Sequence, residues 1–235
     1  MKGLVFASLL MAAPLAAFST APAAAQNWNL EVEETATGYR VGDPEAPLQL
    51  IEFVSYTCSH CADFERDAEA ELRYFYVHEG HAALEVRPFI RNPIDVAATL
   101  AAQCGDDSKF FGNHSAILHA QDNWLPIAQE ISAAQQARWN SGAVSSRMRA
   151  IASDLDFYEL MERRGYSMSQ LDVCLSDETR ARAITDASAT NIAEFNVPGT
   201  PSFALNGTLL DGVHSWPALQ QALSAARSAP VSSAE

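Results

Sequence analysis

The feature that most constrains this chain is a pair of cysteines three positions apart, Cys58-Ser59-His60-Cys61, set just after the apolar run Leu48-Gln49-Leu50-Ile51-Glu52-Phe53-Val54. That run is mostly apolar on both alternating faces, the pattern of a central strand covered on each side. Beyond it, Cys61, Phe64, Ala68, Leu72 and Phe75 recur at three- and four-residue steps, which predicts one face of a helix reaching about Val77. Where a buried strand meets a helix N-terminus, unpaired backbone N–H groups and the positive end of the helix dipole favour a thiolate on the first cysteine. Cys58 is therefore predicted to be the reachable, reactive thiol. Cys61 falls in line with Phe64, Ala68 and Leu72, so it faces inward as the resolving thiol, within bridging distance of Cys58.

Two other uses of such a pair compete with this one. Half of a tetrahedral zinc site would need two further ligands, and no second Cys-x-x-Cys or His-x-x-x-His follows. A static bridge would leave the strand-to-helix placement without a purpose. The alternative from another class is a metal-binding module that delivers copper through Cys58 and Cys61.

The N-terminus predicts the compartment. Lys2 precedes an uncharged, mostly apolar stretch from Gly3 to Phe18, then small residues ending Ala23-Ala24-Ala25, the pattern of a secretory signal (1–25) cleaved before Gln26. The stretch is interrupted by Pro14 and falls short of the roughly 20 residues that span a bilayer. The first cysteine is Cys58, so no thiol near the cleavage site could carry a lipid anchor. The remaining formal charge is 14 − 29 = −15, which argues against nucleic acid and anionic lipid surfaces as partners. All four cysteines lie in the exported part, where disulfides persist. With Cys58 and Cys61 adjacent, Cys104 and Cys174 are the economical second pair, a structural disulfide.

Along the chain, Trp28, Leu30 and Val32 alternate with polar residues like a half-buried strand, and 38–47 reads as a turn region. Ala82 to Ile90 supplies a further strand, so strand, helix and strand form a right-handed parallel unit. Between Asn92 and Leu175 only helical periodicity is visible, for example Met148, Ile151, Leu155 and Tyr158, with turns near Gly105 and Gly165. A helix of about eighteen residues starts near Asp177, with Ala181, Ile184, Ile192 and Phe195 on its inner face. After Gly199-Thr200-Pro201, a hairpin turns at Asn206-Gly207, and a last helix starts near Ser215. The predicted organisation is an α/β frame from 26–91 and 176–229, an inserted helical domain at 92–175, and a disordered tail at 230–235. His78, His81, His114, His119 and His214 are scattered and read as surface or hydrogen-bonded histidines; Trp28, Trp124, Trp139 and Trp216 read as core or groove walls.

The segment from Leu50 through Cys61, together with Gly199-Thr200-Pro201 before a strand, resembles the DsbA-like thiol oxidoreductases, a thioredoxin-superfamily branch with a helical insertion. The resemblance implies an α/β thioredoxin-like fold with a helical insertion, no cofactor beyond the redox-active Cys58–Cys61 disulfide, and a periplasmic oxidase acting on reduced exported proteins. It further implies a cis peptide bond at Pro201 against the active-site disulfide, substrate backbone pairing beside it, and a quinone-linked membrane oxidase of the DsbB type as redox partner. Ser59-His60 departs from the Pro-His of the best-known members, and Thr200 before Pro201 also occurs in isomerase branches, so a disulfide isomerase or reductase is the alternative. His60 matches the strongly oxidising members and is expected to stabilise the Cys58 thiolate. Glu52, the one charge in the buried strand, is expected beneath the active site with a raised pKa, moving protons to and from Cys61.

Overall fold

The structure, a computed structural model, describes residues 26–228; the expected signal and the tail lie outside the described residues. β1 (Val32–Glu34), β2 (Tyr39–Val41), β3 (Leu48–Val54), β4 (Ala82–Pro88), β5 (Ser202–Leu205) and β6 (Thr208–Leu209) form one sheet in the order β1-β2-β4-β3-β5-β6. β3 and β4 are parallel and joined through α1 (Ser59–Leu72), whereas β5 pairs antiparallel on the other edge of β3. β3 is thus central, and its alternation divides the core. Leu50 and Val54 join the large cluster beneath α1 and the helical insertion, while Ile51 and Phe53 meet Val197, Ala204 and the half-buried Phe195 on the opposite face.

Between β4 and β5 runs an all-helical segment: α2 (Pro93–Ala102), α3 (Phe110–His119), α4 (Gln121–Gln129), α5 (Ala133–Asn140), α6 (Val144–Asp154), α7 (Phe157–Arg163) and α8 (Met168–Leu175). α9 (Glu178–Phe195) returns the chain to the sheet, and α10 (Trp216–Ser228) closes it against α1. Cys104, just after α2, is bonded to Cys174 in α8 across 70 residues, with Cα atoms 5.6 Å apart. Asn206 and Gly207 both take positive φ, the backbone a two-residue hairpin between β5 and β6 requires. Among the described residues, no helix is long and apolar enough to cross a membrane.

Several local expectations are corrected. Trp28–Leu30 is a 3-10 turn capped by the Asn27 side chain, and the strand starts only at Val32. Inside the expected turn region 38–47, Tyr39–Val41 is a strand with both apolar residues buried, laid between β1 and β4. Gly38 allows this: a Cβ there would sit 2.1 Å from the Val86 carbonyl oxygen. Phe75 is not on the inner face of α1, because Arg73–Val77 forms a π-helical turn that adds a residue and advances the phase. Tyr76 and Val77 are buried in its place, and Phe75 is 55% exposed. On α9 the inner face continues from Ala181 and Ile184 to Ser188 and Asn191, with Ile192 and Phe195 only half-buried. The Ser188 hydroxyl accepts from Ile90 N–H at 2.8 Å, and Asn191 bonds Arg87, so this face carries hydrogen bonds to the end of β4. The Met148–Tyr158 pattern spans two helices, broken at Asp156 with φ 59°.

Candidate active site

Cys58 is the N-cap of α1, reached from β3 through Ser55-Tyr56-Thr57. Its amide donates to the Ser55 carbonyl at 3.1 Å, and its own carbonyl accepts from the Cys61 amide at 3.1 Å, which starts the helix with the sulfur at its N-terminal end. Both active-site cysteines are thiols in this structure. Cys61 is fully buried. Cys58, expected to be reachable, is only 6% exposed, because the Thr200-Pro201 loop lies against it. The Thr200–Pro201 bond is cis, and the Cys58 thiol donates to the Thr200 carbonyl at 3.2 Å. The Thr200 hydroxyl is buried without a hydrogen-bond partner while Cys58 is a thiol, and is free to turn to the sulfur once it ionises. His214 Nδ1 lies 2.7 Å from the Pro201 carbonyl and supports the loop from behind.

The two thiols are driven in opposite directions. A hydrogen bond from the Cys61 thiol does most to bring Cys58 from 9.0 down to about 5; the Thr200 hydroxyl, the Cys61 amide and the Arg91 charge add to it against the opposing effect of burial. Burial pushes Cys61 well up, reinforced by its hydrogen bond to Cys58 and by the charges of Cys58 and Glu52. At neutral pH the pair holds one thiolate and one thiol. Ser59 and His60 are both exposed on the first turn of α1, and the groups that lower Cys58 are those just named.

Glu52 is 1% exposed, on the β3 face shared with Leu50 and Val54, and its Oε1 has no hydrogen-bond partner. Burial, with the charge of Glu65, pushes its carboxyl well above the usual range. Glu52 and Cys61 are near enough that ionising Glu52 opposes ionising Cys61.

The helical insertion supplies partners that sequence reasoning missed. Asp95, fully buried in the first turn of α2, accepts from Ser55 Oγ at 2.8 Å, Thr57 N at 2.9 Å and Arg91 N at 2.9 Å. Arg91 returns bonds to Ser55 Oγ at 2.9 Å and Thr57 Oγ1 at 3.3 Å, so the strand-to-helix turn is tied to the insertion by a charged network. From α4, Gln121 Nε2 donates to the carbonyls of Tyr56 at 2.6 Å and Cys58 at 2.9 Å, so the insertion also holds the backbone of the turn. Asp95 follows Asn92-Pro93 and reads as an ordinary acid in a first helical turn; Gln121 carries no signal at all.

Known proteins are similar to this chain in sequence and fold. The sequence model of a family described as thioredoxin matches residues 34–225. A protein of Rickettsia conorii, provisionally named a protein-disulfide oxidoreductase, is 28% identical over 169 residues, covering 71% of this chain and 52% of that protein. A similarly named protein of Rickettsia bellii is 28% identical over 170 residues, 71% of this chain and 56% of that protein. The chain therefore spans about half the length of the curated relatives it matches. Among solved structures, a protein-disulfide isomerase from Novosphingobium aromaticivorans is 42% identical with a TM-score of 0.78, covering 81% of this chain and 97% of that one. α-DsbA1 of Wolbachia pipientis, 17% identical with a TM-score of 0.63 over 79% of this chain and 88% of that one, shares the fold. With a family match over nearly all the described residues and a Cys-x-x-Cys capping α1 against a cis proline, the chain belongs to the thioredoxin family and has the DsbA-like form of its fold.

Proposed function

We propose that this chain is an exported thiol–disulfide oxidoreductase that donates its Cys58–Cys61 disulfide to reduced proteins folding in the periplasm. The observation that carries this reading is the opposed pair of thiols, with Cys58 brought down to about 5 and Cys61 held protonated by burial. A substrate thiolate attacks Cys58 Sγ, the Cys58–Cys61 bond breaks, and Cys61 leaves with the electron pair and takes up a proton. A second substrate thiolate then attacks the substrate sulfur of the mixed disulfide, and Cys58 leaves as a thiolate. Two electrons pass from substrate to enzyme. A stable Cys58 thiolate favours the second step and stabilises the reduced enzyme, which makes the oxidised enzyme an electron acceptor. The first-formed thiolate of Cys61 needs a proton, and Glu52 beneath it is the nearest acid that β3 provides. Pro201 and the backbone beside it receive the extended substrate segment. Turnover requires reoxidation, the part assigned to a quinone-linked membrane oxidase of the DsbB type.

A second reading, a disulfide isomerase, is favoured by the name of the 42% identical Novosphingobium relative. Equilibration with glutathione redox buffers separates the two. An oxidase is expected to lie well above thioredoxin, whose potential is about −270 mV, and to oxidise reduced, unfolded ribonuclease stoichiometrically. A potential near that of thioredoxin, with faster reactivation of scrambled ribonuclease than oxidation of the reduced form, would overturn the oxidase in favour of isomerase or reductase.

A further inference from the structure

Between β3, α1 and α3 lies a small cavity of about 10 Å³, bordered by Glu52, Glu65, Glu69 and His114. Two buried polar atoms among these four residues have no hydrogen-bond partner, Glu52 Oε1 and His114 Nε2. A space of that size admits one water at most, and Glu65 and Glu69 continue from it toward solvent. Glu65 and Glu69 are four residues apart and so share a face of α1. The end of α3 brings a third donor to them: ligand atoms of Glu65, Glu69 and His119 all lie within 4.8 Å of one another. From the buried side, His114 Nε2 stands 3.7 Å from Glu65 Oε2. The other ring nitrogen of His114 is fixed by the Tyr56 hydroxyl at 2.9 Å. His114 so placed steadies the Glu65 carboxylate from behind, the part that a neighbouring group plays for a metal-binding residue.

We propose that Glu65, Glu69 and His119, with a water as the fourth donor, bind one divalent transition-metal ion of the zinc type. Two carboxylates with one imidazole suit zinc, which takes three protein ligands and a water, whereas magnesium and calcium prefer oxygen throughout. Burial grades outward from Glu65 through the half-buried Glu69 to the exposed His119, which leaves an entry path from solvent. Arg73 also borders the cavity and its charge acts on Glu69 and Glu65, but its guanidinium is held by Asn29 Oδ1 at 2.7 Å and over the Phe111 ring, and it makes no hydrogen bond to either carboxylate. The site clamps α1, which carries both active-site cysteines, to α3 of the helical insertion. It uses neither Cys58 nor Cys61, so it stands or falls apart from the redox reading.

The test uses tag-free protein with the Cys58–Cys61 disulfide closed, so that no thiolate competes, and stripped with chelator. Calorimetric titration with zinc chloride is expected to give one site per chain. Cobalt loading is expected to give the visible spectrum of a four-coordinate ion with nitrogen and oxygen donors. His119→Ala and Glu69→Gln, both at the accessible side, are each expected to weaken zinc by about tenfold or more, while Glu130→Gln, an exposed acid outside the cluster, leaves it unchanged. Substoichiometric binding, or one-to-one binding that survives both substitutions, would show an adventitious ion only and overturn the site.

Discussion

The depressed pKa of Cys58 makes a quantitative demand on stability. Folding takes this thiol from 9.0 to about 5. Because the folded pKa is the lower one, the stabilisation is complete above the unfolded value and is lost as the pH falls through the folded value. At pH 7 the folded thiol is ionised by two pH units and the unfolded one hardly at all, so the contribution is about 2.7 kcal/mol; at pH 4 it is close to zero. The perturbation is Cys58→Ser, which removes the titration and keeps the size of the side chain. The assay is denaturant unfolding of parent and variant at pH 4 and pH 7, under dithiothreitol mild enough to leave Cys104–Cys174 closed, as checked by mass spectrometry. All other titrating groups are common to the two proteins, so the change in their stability difference between the two pH values isolates Cys58. The parent is expected to gain about 2.7 kcal/mol on the variant from pH 4 to pH 7, equivalent to about 60 mV in the two-electron couple. A stability difference that does not change with pH would refute the assignment of the thiolate to Cys58 and, with it, the argument for an oxidising potential.

Thr200→Val removes the buried hydroxyl that lowers Cys58 and is expected to raise the thiol pKa by about one unit, followed by thiolate absorbance at 240 nm; His60→Ala, at an exposed position, is expected to move it less. Asp95→Ala leaves Thr57 N and Arg91 N without their acceptor and is expected to destabilise the fold by about 3 kcal/mol or more, measured by chemical unfolding of the oxidised protein. Replacing both Cys104 and Cys174 by Ala opens a 70-residue loop and is expected to cost about 4 kcal/mol in the chain-entropy account, seen as a lowered Tm.

What the sequence showed of this fold follows from where its physics is periodic. A central strand covered on both faces leaves a continuous apolar run, and a helix against it leaves a stripe, so β3, α1 and the pair Cys58 and Cys61 are visible as soon as the two meet. The short β2 is hidden because three residues between Gly38 and Gly42 offer too little alternation to outweigh the turn formers around them. Phe75 falls off the inner face because the three- and four-residue stripe holds only at constant helical pitch, and the π-helical turn at Arg73–Val77 changes that pitch. The polar part of the site is hidden for a different reason. Asp95, Arg91 and Gln121 work through single hydrogen bonds made across more than 30 residues of chain, and such bonds leave no period. Glu65 is the case where a signal was present: it lies four residues after Cys61, on the same face of α1, so an inward-facing Cys61 places Glu65 inward as well. A buried carboxylate one turn below an inward-facing cysteine must find a polar partner, and the rest of α1 offers none on that side. The partner therefore has to come from another element, and α3 supplies imidazoles, with His114 Nε2 3.7 Å from Glu65 Oε2 and a His119 nitrogen within 4.8 Å of the same carboxyl. The stripe that identified Cys61 thus also called for a polar side chain from elsewhere in the chain to meet α1 below it.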